Sequence, residues 1–171
     1  AEQGRPVLFD FSPDGRLLSV RHVRGALAVW DLESGRLRFV RDADQLRRQA
    51  SRGQFSSDGQ FVVAPVFTPD GFAVMETAAG QTVAHFPEIG SFHHAAVRPG
   101  AKQFAAFDGN KVMVLDWETR ARLLEVPLDF GAYRLAWSPD GRWLGIFGNS
   151  LAIQLWDMTT RQMRPLHGHQ D

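Results

Sequence analysis

The stretch FSPDGRLL, Phe11 to Leu18, returns as WSPDGRWL, Trp137 to Leu144, 126 residues later in a chain of 171. The match extends past the turn. Each copy runs on through an apolar segment to Val29-Trp30-Asp31-Leu32 or Leu155-Trp156-Asp157-Met158. Two matching stretches at a fixed separation constrain the fold more than any single motif, because a repeated sequence unit builds a repeated structural unit. An interval of 126 divides into three steps of 42 and predicts two further copies near positions 53 and 95. Phe55-Ser56-Ser57-Asp58-Gly59 begins one and Val97-Arg98-Pro99-Gly100 the other, giving steps of 44, 42 and 40. A second landmark keeps the same count: Trp30-Asp31, Met75-Glu76, Leu115-Asp116 and Trp156-Asp157 are separated by 45, 40 and 41.

Inside each copy the apolar period is two. Val7 to Phe11, Leu17 to Val23, Ala26 to Leu32 and Leu37 to Val40 are short runs of aliphatic, β-branched and aromatic residues. Pro-Asp-Gly, Arg-Gly and Glu-Ser-Gly divide them, which predicts four strands and three tight turns. The fourth copy repeats the layout over Tyr133 to Trp137, Trp143 to Phe147, Ala152 to Met158 and Gln162 to Leu166. Ser-Pro-Asp-Gly reads as a hairpin turn: Pro presets φ, Asp follows, and Gly takes the left-handed position that returns the chain to antiparallel pairing.

Four-stranded antiparallel units at this period are propeller blades. The residues Phe11-Ser12-Pro13-Asp14-Gly15, Val29-Trp30-Asp31-Leu32, Leu155-Trp156-Asp157-Met158 and Leu166-His167-Gly168-His169 resemble those of the WD-repeat β-propeller family over essentially the whole chain. The resemblance implies an all-β fold of four consecutive four-stranded antiparallel blades, residues 1–171 forming a partial β-propeller with blades near 5–41, 51–87, 92–128 and 132–167. Periplasmic TolB-like propellers and those attached to serine peptidases share the Pro-Asp-Gly turn and stay open as relatives. In the WD-repeat family a Gly-His pair, an Asp between the second and third strands and the Trp build a buried hydrogen-bond network. Here Gly168-His169 is the only clear Gly-His pair, and Arg24-Gly25 stands where the Asp is expected; Asp108 and Asn149 are the nearest substitutes. These blades are therefore expected to rely on apolar packing. Members of the family usually close a ring of about seven blades, so four are expected to be an incomplete ring. It would be completed by further blades in a longer chain, or by a second copy that brings the count to eight about a two-fold axis.

Charge and composition remove whole classes of function. Nineteen basic residues balance nineteen acidic ones, so no net field points to nucleic acid or an acidic membrane. No cysteine is present, which removes disulfides, thiol nucleophiles and thiolate metal sites together. No apolar run approaches the roughly 20 residues that span a bilayer, and the first six residues do not resemble a secretory signal. The expectation is a soluble chain, in the cytoplasm or alternatively the periplasm. Lys102 and Lys111 are the only lysines, an Arg bias consistent with a GC-rich bacterial source.

A search for chemistry finds little. Gly-x-Ser-x-Gly, the Walker pattern and Gly-x-Gly-x-x-Gly are absent, and Ser12, Ser56, Ser57 and Ser138 sit in the repeated turns. His93 and His94 are adjacent, so on a strand they point to opposite faces and cannot readily chelate one ion. His167 and His169 fit a connector between repeats, and His22 and His85 are isolated. No catalytic, cofactor or metal site is expected. The segment 41–52 joining the first two blades carries Arg41, Arg47, Arg48 and Arg52 against Asp42 and Asp44, and Asp44 suits a helix cap. Arg47, Arg48, Arg52, His93 and His94 are the candidate contacts for a protein or peptide partner. The expected function is a noncatalytic interaction scaffold. The alternative is a propeller accessory to a hydrolase, peptidase or oxidoreductase encoded elsewhere.

Overall fold

The computed structural model describes residues 4–41, 52–67, 70–87, 89, 94–108 and 111–167. They form four antiparallel four-stranded sheets, with no helix among the described residues. Blade one is β1 (Pro6–Phe11), β2 (Leu17–His22), β3 (Leu27–Asp31) and β4 (Arg36–Arg41). Blade two is β5 (Gln54–Phe55), β6 (Phe61–Phe67), β7 (Asp70–Glu76) and β8 (Thr82–Phe86). Blade three is β9 (Ala95–Val97), β10 (Gln103–Asp108), β11 (Lys111–Asp116) and β12 (Arg122–Pro127), and blade four is β13 (Ala132–Trp137), β14 (Trp143–Gly148), β15 (Ile153–Asp157) and β16 (Gln162–Leu166). Strands pair in chain order within every sheet. Blades one and two lie in one compact unit, residues 1–93, and blades three and four in a second, residues 94–171.

The repeated turn is closed by its own side chains. In blade one the Ser12 amide donates to the Leu17 carbonyl at 3.0 Å and the Gly15 amide to the Ser12 carbonyl at 2.9 Å. The Ser12 hydroxyl accepts from the Leu17 amide at 2.8 Å and donates to Asp14 Oδ1 at 2.6 Å, while Asp14 Oδ1 also accepts from the Arg16 amide. Ser56 with Asp58 and Ser138 with Asp140 repeat this arrangement. Gly15 at φ 71° and Gly141 at φ 67° hold the left-handed position that an L side chain resists. In blade three the closing bond survives, from the Arg98 amide to the Gln103 carbonyl at 2.8 Å. Its left-handed residue is Gly100, at φ 69°, one position earlier than in the other copies. The worn copy thus keeps the length of the turn and moves its glycine.

The second landmark is a turn cap. Asp31 Oδ1 accepts from the Ser34 amide at 2.9 Å, Asp116 Oδ1 from the Thr119 amide at 2.9 Å, and Asp157 Oδ1 from the Thr159 amide at 2.8 Å. Each carboxylate therefore satisfies amides in the turn from the third strand to the fourth.

Each blade has two faces, and the strand period assigns residues to them. We call the face bearing Leu18 and Trp30 in blade one the leading face, and the face bearing Leu17, Ser19 and Val29 the trailing face; cross-strand pairing sets both. The trailing face of blade one, through Leu17, Leu27, Val29 and Phe39, packs on the leading face of blade two, through Phe55, Val62, Ala64 and Met75. The second unit repeats the interface: Ala105, Phe107, Val114 and Val126 of blade three bury Leu135, Leu144 and Ile146 of blade four. At roughly 2 kcal/mol for each fully buried aliphatic side chain, this interblade packing is the principal source of stability.

Candidate functional site

Repetition makes one difference visible. Phe9, Phe11, Leu18, Val20, Trp30 and Leu37 share the leading face of blade one. Their counterparts 126 positions later are Leu135, Trp137, Leu144, Ile146, Trp156 and Met163. In blade four Leu135 is 2% exposed and Leu144 is fully buried, whereas Phe9 is 62% and Phe11 54% exposed. The Phe9 and Phe11 rings meet edge to face with centroids 6.1 Å apart. Aromatic residues at equivalent repeat positions are expected to be interblade core, and Phe55, Trp137 and Trp156 are. Among the described residues Phe11 and Trp30 depart from that expectation, at 54% and 36% exposed.

The trailing face of blade four is the second open surface. Trp143, Gly145, Phe147, Ile153 and Leu155 lie on it with Arg134 and Arg164. The Arg142 and Arg164 guanidinium carbons stand 4.9 and 5.7 Å from the Trp143 ring centroid. A Cβ at Gly145 would touch the Phe147 ring at 3.1 Å, so that ring folds back over its own strand. This face is partly cloaked by its own cations and one ring, and the leading face of blade one is bare.

Polar groups pin the covered interfaces. In the first unit Ser19 Oγ donates to the Gly53 carbonyl and Arg21 Nη1 to the Pro65 carbonyl, each at 2.9 Å. Burial holds the Arg21 guanidinium down to about 10, still protonated at neutral pH. In the second unit Trp137 Nε1 donates to the Ala96 carbonyl at 2.9 Å, and Arg98 Nε to the Gly141 carbonyl at 2.8 Å. The Arg98 guanidinium also lies 5.3 Å from the Trp137 ring centroid. Arg142 clasps Asp157 through Nε at 3.2 Å and Nη2 at 2.8 Å, and this bond to Arg142 first, with the Thr159 and Thr160 amides, holds the carboxyl far below its usual range. Among the described residues the buried Trp156 Nε1 has no hydrogen-bond partner, and Asn149 Oδ1 accepts from the Gly131 amide at 2.8 Å rather than serving the Trp. The tryptophan in blade four is held by packing.

The candidate contacts separate. Arg52 Nη1 is 3.9 Å from Asp10 Oδ1, so it joins the connector's end to blade one. Burial pushes the Asp10 carboxyl up, against Arg52 and the Phe55 amide, which pull it down. His94 is half-buried and its Nδ1 accepts from the Leu135 amide at 3.4 Å, which places it in the interface between blades three and four. Arg47, Arg48 and His93 lie outside the described residues, as do Asp42, Asp44 and His169. His22 Nδ1 lies 3.0 Å from the Gly4 carbonyl, and among the described residues the buried His85 Nε2 has no hydrogen-bond partner. Among the described residues no three His, Asp or Glu side chains converge on one point. Arg98 and the Arg142–Asp157 pair escaped the sequence reading, because a single Arg beside a turn carries no signature of the blade it will reach.

No family model and no curated protein sequence matches the chain. Solved structures do. The RRP9 WD40 repeats are similar with a TM-score of 0.77 at 16% identity, over 99% of this chain and 53% of that one. The Cps50 (Swd1) β-propeller domain of Myceliophteria thermophila gives 0.76 at 15% identity, over 99% and 57%. The hydrazine synthase of Kuenenia stuttgartiensis gives 0.76 at 16% identity, over 98% and 51%. The chain spans about half the length of the structures it matches. By fold the four sheets of this chain are β-propeller blades, similar to those of solved WD40-repeat structures.

Proposed function

We propose that the chain is a noncatalytic scaffold that holds a protein or peptide partner on its loops and blade surfaces. The observation that carries this is the employment of the recurrent polar residues. Ser12, Ser56 and Ser138 close the turns from first strand to second, and Asp31, Asp116 and Asp157 cap those from third strand to fourth. These are the side chains that would otherwise be available for general acid, base or nucleophile work, and each is held in place by the backbone it supports. What remains for function is surface on a rigid frame, and the WD40 repeats it is similar to favour the same use.

The partner contact on this reading includes the basic connector, with Arg47, Arg48 and Arg52 meeting acidic side chains. Selection of displayed peptides on the immobilised chain tests it. Acidic peptides should be enriched, and the variant with Arg47, Arg48 and Arg52 all replaced by Ala should lose at least about tenfold in retention. Equal retention by wild type and variant removes the connector, and failure to enrich any peptide removes the scaffold reading. A propeller accessory to an enzyme encoded elsewhere is the second reading, favoured by the likeness to a hydrazine synthase. A hydrolase, peptidase or oxidoreductase motif in the flanking reading frame would support it.

A further inference from the structure

The repeated turn carries Asp-Gly, and the copies in blades two and four differ in how firmly their glycine is held. Asp58-Gly59 lies between β5 and β6, and Asp140-Gly141 between β13 and β14. Both carboxyls are exposed, and their own turns hold them alike. Asp58 Oδ1 accepts from Ser56 Oγ and the Gln60 amide, and Asp140 Oδ1 from Ser138 Oγ and the Arg142 amide. The Gly59 amide donates to the Ser56 carbonyl at 2.9 Å and the Gly141 amide to the Ser138 carbonyl at 2.8 Å. The preceding blade makes the difference. Gly141 is buried, its carbonyl accepts from Arg98 Nε of blade three at 2.8 Å, and a Cβ there would stand 2.9 Å from the Pro99 carbonyl oxygen. Gly59 is half-buried, and a Cβ there would meet only Ser12 Cβ of blade one, at 3.9 Å.

We propose that Asp58 is a self-modification site, converting to isoaspartate, and that the Arg98 clasp protects Asp140 from the same reaction. The step needs only the chain and water. In the acid form of Asp58 the Gly59 nitrogen attacks Cγ and gives up its proton, the N–Cγ bond forms, the C–OH bond breaks, and water leaves. The succinimide ring so formed reopens by taking up water. Addition at Cγ restores aspartate, and addition at the Asp58 backbone carbonyl carbon leaves isoaspartate with the original mass. Glycine suits the reaction because no side chain shields its nitrogen or restricts its rotation. To react, the peptide between Asp and Gly must rotate out of the turn and carry the glycine with it. At Gly141 that rotation drives the backbone against Pro99 and breaks a charge-assisted hydrogen bond from another blade. At Gly59 it breaks the bond from Thr77 Oγ1, a neutral donor of the same blade at 2.8 Å, and meets no such wall. The product matters to the fold. Isoaspartate adds its Cβ to the main chain, so the Ser56 amide and hydroxyl no longer meet Phe61 in register. Phe55, the residue before Ser56, packs against blade one, and the change loosens that interface. This site is separate from the basic connector and independent of the scaffold reading.

Ageing the folded chain in warm, mildly acidic buffer tests this, with electron-transfer fragmentation of its peptides reading isoaspartate separately at each Asp. Asp58 should convert at least about tenfold faster than Asp140, because Gly141 must open against a second blade. In urea the two sites should age at similar rates, since Ser-x-Asp-Gly surrounds both. Arg98→Ala should raise the Asp140 rate and leave the Asp58 rate unchanged, with Arg98→Met, which keeps the apolar stem, as the replacement should Arg98→Ala lose its circular dichroism signal. No isoaspartate at Asp58, or equal rates at Asp58 and Asp140 in the folded chain, overturns the proposal. So does a difference that persists undiminished in urea, since the fold would then not be its cause. A folded Arg98 variant in which Asp140 ages as slowly as before overturns the protecting role of the clasp.

Discussion

Blade one and blade four carry the same Ser-Pro-Asp-Gly-Arg turn and the same Trp-Asp landmark 126 residues apart, and they differ in how far their leading faces are buried. Leu144 is fully buried and Leu18 is only half-buried, although both follow an identical Ser-Pro-Asp-Gly-Arg turn and both pair with a Trp on the third strand. The residue type at a repeat position decides that a face is apolar. The neighbouring blade decides whether that face is core. The faces covered within each unit support the same division: Val62 and Met75 of blade two, packed on blade one, and Ala105 and Val114 of blade three, packed on blade four, are all buried.

The sharpest way to break the comparison is to delete the same side chain from both blades. Leu144→Ala should cost about 3 kcal/mol in urea unfolding of dilute protein, the range for an aliphatic side chain lost from a packed core. Leu18→Ala should cost less than about 1 kcal/mol under the same conditions, because little packing surrounds it there. Equal losses would show that both leading faces are covered alike.

The turns give the next largest contrast. Gly15 and Gly141 have the same backbone, but a Cβ at Gly15 meets nothing within 4 Å and one at Gly141 would come within 2.9 Å of the Pro99 carbonyl oxygen. Gly15→Ala should therefore cost about 1 kcal/mol from the left-handed backbone alone. Gly141→Ala should cost about 2 kcal/mol or more, read as a larger fall in thermal midpoint, because Arg98 and Pro99 of blade three must also shift.

Acid should act on both terminal blades through their turn caps. Asp31 is held well below the usual carboxylate range by the Ser34 amide first and then Arg38, and Asp157 by Arg142 first. A carboxyl with a depressed folded value contributes stability above its ordinary value near 4 and loses it as protons bind below that pH. Thermal midpoints should fall as pH drops below about 4. Asp157→Asn should flatten that fall, and an unchanged slope would remove the Arg142 clasp from the account. The smallest expected effect is at the connector's end: Arg52→Ala should change stability by less than about 0.5 kcal/mol, because its pair with Asp10 is 3.9 Å long and half exposed.

Much of the fold was legible because repetition multiplies weak signals. Val97-Arg98-Pro99-Gly100 is hardly a motif alone, and its distance from Phe55 identifies it as a turn. Spacing could not reveal that its left-handed glycine sits one position early, since closing the turn requires only the bond from the Arg98 amide to Gln103. Nor could it separate Phe11 from Trp137, because the same turn follows each and the cover over Trp137 comes from a neighbouring sheet. The bond between His94 and the Leu135 amide was equally hidden from the sequence, because it exists only once blades three and four are packed.

The absence of cysteine from the chain allows a direct test of that central difference. Phe9→Cys and Leu135→Cys place one thiol each at equivalent positions, 62% exposed in blade one and 2% exposed in blade four. In dilute protein, Phe9→Cys should react with a thiol reagent at close to the rate of an unfolded control, and Leu135→Cys at least about a hundredfold more slowly. Equal rates at the two positions would contradict the account.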